Sequence, residues 1–176
     1  MRTLILGGVR SGKSAHAEAL AAATGKPVCY IATADAHHND AAMAARIAAH
    51  QQRRPADWTL LEAPLSLAAA LQQAGVASVA QTVLVECSGL WITNLLLADS
   101  GEALLQREVA ALLHLLALPT TRAEIIIVGN ESSFGITPLD PLSRRYADRL
   151  GELHQQLAAI SERVDLVVAG LVVRLK

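Results

Sequence analysis

This chain has no marked excess of positive over negative charge or the reverse. Its 15 lysines and arginines face 16 acidic residues, a formal net charge of -1, so no global positive field draws it to nucleic acid or to an anionic membrane surface. Any anion must be held by a local device. Cysteine is nearly absent as well: Cys29 and Cys87 stand far apart without a CxxC spacing, which argues against a zinc site and a disulfide framework and for buried free thiols. Long apolar runs are also lacking. Mean hydropathy is +0.34, yet Gly or charge cuts each run short of the roughly 20 residues a membrane-spanning helix requires. No basic start, long apolar stretch and small-residue cleavage site announce a secretory signal, so a cytoplasmic protein without membrane insertion is expected. Composition breaks, low complexity and fixed-period repeats are absent too, which predicts one domain over residues 1–176.

What is present is alternation. Thr3 to Leu6 reads as an apolar strand, Lys13 to Ala23 as an Ala-rich helix closed by Gly25 and Pro27, and Val28 to Ala32 as a second strand. A helix from about Asp40 to Arg53 follows, ended by Pro55. Strands are then predicted at Thr59 to Glu62, Thr82 to Cys87, Glu124 to Val128 and Val164 to Ala169. Helices are predicted at Leu65 to Ala74, Glu102 to Leu116 and Asp140 to Arg163. Gly170 permits a turn into Leu171 to Leu175. Strands apolar on both faces, alternating with helices, indicate an α/β fold: a mainly parallel sheet covered by helices on each side, with the last run as an antiparallel edge.

The first strand leads straight into Gly7-Gly8-Val9-Arg10-Ser11-Gly12-Lys13-Ser14, which matches G-x-x-x-x-G-K-[ST] between a strand and a helix, the context that the phosphate-binding mechanism requires. Backbone N–H groups of the glycine-rich turn point inward, and the helix adds the positive end of its dipole. Lys13 is expected at the β and γ phosphates, and Ser14 at Mg²⁺. Glu86, at the carboxyl end of an apolar strand, occupies the place of a Walker-B acid and suits the same metal, although a strand-end carboxylate that caps the next helix has the same signature. The loop after Val128 reads Gly129-Asn130-Glu131 and carries no Asn-Lys-x-Asp guanine reader, which disfavours a regulatory GTPase switch.

Met43, Ile47 and His50 recur at spacings of four and three, so the helix before Pro55 turns His50 to its apolar face. Arg53 and Arg54 add fixed positive charge within one turn. Two readings fit: a core histidine satisfied by a backbone carbonyl, and an imidazole nucleophile for an α-phosphorus with the arginines neutralising phosphate oxygens. His37, His38 and Asp40 lack the same-face spacing of a zinc site and read as a polar loop.

Together these segments resemble one family, the bifunctional adenosylcobinamide kinase and adenosylcobinamide-phosphate guanylyltransferases. The likeness runs through the P-loop with His16-Ala17-Glu18, Tyr30-Ile31-Ala32-Thr33-Ala34, Arg46-Ile47 leading to His50, Arg54-Pro55, Trp58, Glu62 and Glu86-Cys87. It continues in Leu90-Trp91-Ile92-Thr93-Asn94-Leu95-Leu96, Asn130-Glu131, Gly135-Ile136-Thr137-Pro138 and Val168-Ala169-Gly170. The resemblance implies a RecA-like P-loop NTPase fold, ATP and GTP as substrates with Mg²⁺, and a trimeric homo-oligomer. It also implies two reactions: phosphorylation of adenosylcobinamide, then GMP transfer from GTP onto adenosylcobinamide phosphate through a guanylylated His50, giving adenosylcobinamide-GDP. Nucleotide contacts are then expected at Gly7 to Ser14, at Thr33, Ala34 and Asp35, at Gln51, Gln52, Arg53 and Arg54, and at Glu62 and Glu86. Ser88-Gly89 and Ser132-Ser133-Phe134 depart from the family's usual residues, and Glu86 stands where Asp is frequent. A plain small-molecule kinase, with His50 only packing, and a nucleotide-dependent binding switch are the alternatives.

Overall fold

The computed structural model describes residues 1–35, 48, 54–99, 101–119, 122–132 and 134–176. All but residue 48 of the helix expected from about Asp40 to Arg53 lies outside them, as do His37 and His38.

Among the described residues seven strands form one sheet: β1 (Arg2–Gly7), β2 (Val28–Ala32), β3 (Thr59–Glu62), β4 (Thr82–Glu86), β5 (Glu124–Asn130), β6 (Arg163–Val168) and β7 (Leu171–Arg174). Their order is β3-β2-β4-β5-β1-β6-β7. All neighbours pair in parallel except β6 and β7, whose antiparallel ladder is the expected edge. β5 therefore stands between the P-loop strand and the strand ending in Glu86, and all the parallel strands deliver their carboxyl ends to one edge. That edge is where an open α/β sheet binds ligands.

Alternation along β1 assigns the two faces. Leu4 and Leu6 join one apolar cluster and Ile5 the other. On the Ile5 face lies α1 (Lys13–Ala23), whose Ala17 and Ala21 are fully buried and let the helix sit close to the strands. The Leu4 face carries α2 (Leu67–Gln73), α3 (Ser88–Leu97), α4 (Gly101–Ala117) and α5 (Pro141–Ile160), packed through residues such as Leu71, Trp91, Leu112 and Leu153.

Two elements differ from the sequence expectation. Ser88–Leu97 is a helix where none was read: its run is apolar nearly all round, so it shows no 3.6-residue stripe, and burial rather than amphipathicity holds it. α5 starts on cue, with the Asp140 carboxylate accepting from Ser143 N at 2.8 Å and Pro141 in the first turn. It stops at Ile160 because Arg163 already belongs to β6, paired with Thr3 and holding Asp165 through its guanidinium at 2.7 Å.

Candidate active site

The loop between β1 and α1 is shaped by its glycines. Gly12 has φ +96°, a left-handed conformation open to glycine. Gly7 has no room for a side chain: a Cβ there would lie 2.7 Å from the Val167 carbonyl oxygen and collide with Ser11 Oγ. Gly7→Ala is expected to cost about 1–3 kcal/mol or to push the loop off its strand. A melting temperature and a GTP titration check this; wild-type values in both would show that the loop is not so tightly fitted.

Lys13 is buried, and its Nζ donates to the Gly8 carbonyl at 3.2 Å across the loop it is expected to serve. Ser14 Oγ donates to Glu86 Oε1, so α1 and the end of β4 meet at a hydroxyl and a carboxylate. Tyr30 Oη donates to the other Glu86 oxygen at 3.2 Å. Burial, then the Glu86 charge, pushes the Tyr30 phenol far up, so it remains a proton donor. The Arg54 guanidinium stacks on the same ring, 3.8 Å from its centroid, and its buried Nε has no hydrogen-bond partner among the described residues. A continuous series thus runs from the P-loop serine through Glu86 and Tyr30 to Arg54.

Thr33 locks the neighbouring loop. Its N–H donates to the Glu86 carbonyl at 3.0 Å, its hydroxyl to the Cys87 carbonyl at 2.8 Å, and Cys87 N–H donates back to the hydroxyl at 2.7 Å. Ala34 and Asp35 follow, half-buried. Glu62 is exposed at the end of β3, level with Ala32 and Glu86 in the register, two strand spacings or about 10 Å from Glu86 along the sheet edge. The described residues therefore bring together Gly7 to Ser14, Thr33, Arg54 and Glu86, and set Glu62 apart on the same rim. His50, Gln51, Gln52 and Arg53 lie outside the described residues.

Sequence reasoning missed the groups that support this edge from α3 and α5. Asn94 and Trp91, inside the Leu90 to Leu96 segment, donate to the carbonyls of the loops after β2 and β3. His154 continues the buried stripe of Leu150, Leu153 and Leu157, a pattern that could have revealed it. Its Nε2 lies 3.1 Å from Ser88 Oγ, beside a cavity of about 400 Å³ that also touches Leu6 and Glu131. Burial pushes the imidazole from 6.5 down to about 4, against the pull of the Glu131 charge. A folded pKa below the unfolded one means that this stability is whole above pH 6.5 and drains as the pH falls toward 4, by about 3 kcal/mol at most. His154→Gln is expected to flatten that part of the stability curve in urea unfolding on either side of the window; an unchanged slope would refute it.

On the α1 face, Asp165 is fully buried. Burial opposes its charge, but hydrogen bonds from Arg163, His16 and Arg174 prevail and hold the carboxyl at about 2. His16 Nε2 lies 2.8 Å from it, which ties α1 to β6.

Residues 3–175 match the family model described as cobinamide kinase / cobinamide phosphate guanyltransferase. The chain belongs to that family. Membership makes it an enzyme of adenosylcobalamin assembly, a kinase and a guanylyltransferase that consumes nucleoside triphosphates. It is 51% identical over 176 residues to the bifunctional adenosylcobalamin biosynthesis protein CobP of Pseudomonas aeruginosa, covering 100% of this chain and 98% of that one. It is 37% identical over 188 residues to the bifunctional adenosylcobalamin biosynthesis protein CobU of Salmonella typhimurium, with both chains fully covered. Among solved structures, a Pyrococcus horikoshii OT3 protein, project PH0250, shares the fold with a TM-score of 0.54 at 8% identity, over 99% of this chain and 85% of that one. In the family's terms, the segment Tyr30 to Ala34 supplies both the phenol against Glu86 and the threonine clamp.

Proposed function

We propose that both family reactions use the one triphosphate cradle between β1 and α1, and that His50 carries GMP between them. In the first, the aminopropanol hydroxyl of adenosylcobinamide attacks the γ-phosphorus of ATP or GTP, and the nucleoside diphosphate leaves. In the second, an imidazole nitrogen of His50 attacks the α-phosphorus of GTP and pyrophosphate leaves. The phosphate of adenosylcobinamide phosphate then attacks the guanylyl-histidine, forms adenosylcobinamide-GDP and frees the imidazole.

The observation that carries this reading is Arg54. Its guanidinium is stacked on Tyr30 beside Glu86 and Ser14. His50 stands four residues before Arg54 in the sequence, and that short separation supports the reading that the two serve one site. Lys13 and the loop amides grip the phosphates, while Arg53 and Arg54 neutralise oxygens as charge develops. Gln51, Gln52, Glu62 and Thr33 to Asp35 contact the nucleoside.

The hydroxyl of Ser14 against the carboxylate of Glu86 is a hard-oxygen donor set that fits Mg²⁺, and these two side chains would hold it. Bound there, Mg²⁺ would neutralise phosphate charge. The active assembly is a trimer in the cytoplasm. Exposed Val168, Leu171, Val172 and Val173 at the β7 edge are an apolar surface for a second copy, and a sedimentation mass of one chain would end that part.

Intact mass after incubation with GTP tests the covalent step: one guanylyl group, labile to acid and stable to alkali, is expected. A chain of unchanged mass that still phosphorylates adenosylcobinamide would leave a kinase alone.

A further inference from the structure

The two loops assigned above to the nucleoside have a common anchor. Asn94, on the second turn of α3, directs one side-chain amide between them: Nδ2 donates to the Thr33 carbonyl at 2.7 Å and to the Pro64 carbonyl at 3.0 Å. Two carbonyl acceptors around one atom admit only the nitrogen, so the amide's orientation is determined by its surroundings. The loops leave adjacent parallel strands at matched positions, Ala32 opposite Glu62, and Ala63 N–H donates to the Ala32 carbonyl at 2.8 Å. Beyond that last backbone bond, Asn94 is the side chain that bridges the two loops among the described residues. Trp91, one turn earlier, holds only the second loop, through the Leu65 carbonyl at 2.7 Å.

We propose that Asn94 is a positioning residue for guanine selectivity: its single amide sets the distance between the Thr33 to Asp35 loop and the Glu62 to Pro64 loop, and so the place of the Glu62 carboxylate against the base. This rests on the reading that both loops contact the nucleoside. The chemistry of the edge favours guanine. An exposed carboxylate accepts from the N1–H and the exocyclic amino group of guanine, whereas adenine presents a lone pair at N1. A carboxylate reads that difference only where the pocket holds it at hydrogen-bonding distance, because discrimination comes from polar groups left unpaired by the wrong base. The triphosphate grip, by contrast, comes from β1 and α1, whereas the Asn94 side chain bonds to the loops after β2 and β3.

Asn94→Asp keeps the shape and exchanges two donors for a carboxylate facing two carbonyls, which drives the loops apart. Direct titration of the enzyme with GTP and with ATP is expected to show GTP affinity lowered by about tenfold and ATP affinity changed by less than about twofold. Glu62→Gln, measured alongside, is expected to lower the GTP preference in the same way. Equal losses for both nucleotides in Asn94→Asp, or no loss, with Glu62→Gln still impaired for GTP, would overturn the role of Asn94 and leave the nucleoside contact standing. An unaltered GTP preference in Glu62→Gln would overturn the contact itself and this proposal with it. If Asn94→Asp does not fold, Asn94→Ala, which removes both donors without adding charge, is read by the same criteria.

Discussion

His50→Ala is expected to abolish transfer of label from α-labelled GTP to the chain and to cut formation of adenosylcobinamide-GDP by roughly 10⁴–10⁶-fold, the scale seen when a covalent nucleophile is removed. The kinase step makes its bond at the γ-phosphorus and is expected to escape most of the loss, so γ-label still reaches adenosylcobinamide. Rapid-quench assays with each label separate the two. Persistent α-label on the His50→Ala chain would show that another residue carries GMP.

Lys13→Met is expected to lower both steps together, by about 10²–10³-fold in kcat, since it removes a preorganised cation from the cradle that both triphosphates occupy. Lys13 is already seated there, buried, with its ammonium directed back over the loop to the Gly8 carbonyl at 3.2 Å. Little reorganisation is needed on binding. A kinase rate unchanged in Lys13→Met, with guanylylation lost, would mean that the two reactions use different phosphate sites.

Much of this site could be read from residues in order along the chain. The P-loop is contiguous, its function is carried by backbone amides, and its glycines answer to a local demand, Gly12 at φ +96° among them. Glu86 could be placed because a strand end is itself a position in a parallel sheet. Legibility failed where a run was too uniformly apolar to show a period, as in Ser88–Leu97. It failed again where a polar group acts across the sequence. Nothing near Asn94 in the chain announces that Thr33 and Pro64, 61 and 30 residues away, will turn their carbonyls to it. Nor does Tyr30, in a buried strand, reveal that its hydroxyl will meet Glu86 and its ring Arg54.

Sequence by itself determined the alternating elements, the phosphate cradle and the family, because each is written in short-range pattern: hydrophobic period, turn glycines, and a lysine at a fixed offset. Only the tertiary structure decided which groups surround the cradle. Strand order set β5 between β1 and β4, and that placement let Ser14, Glu86, Tyr30 and Arg54 meet at one edge. Contacts between strand ends depend on how a chain is threaded through its sheet, and that is settled by the packing of two buried faces rather than by any local propensity.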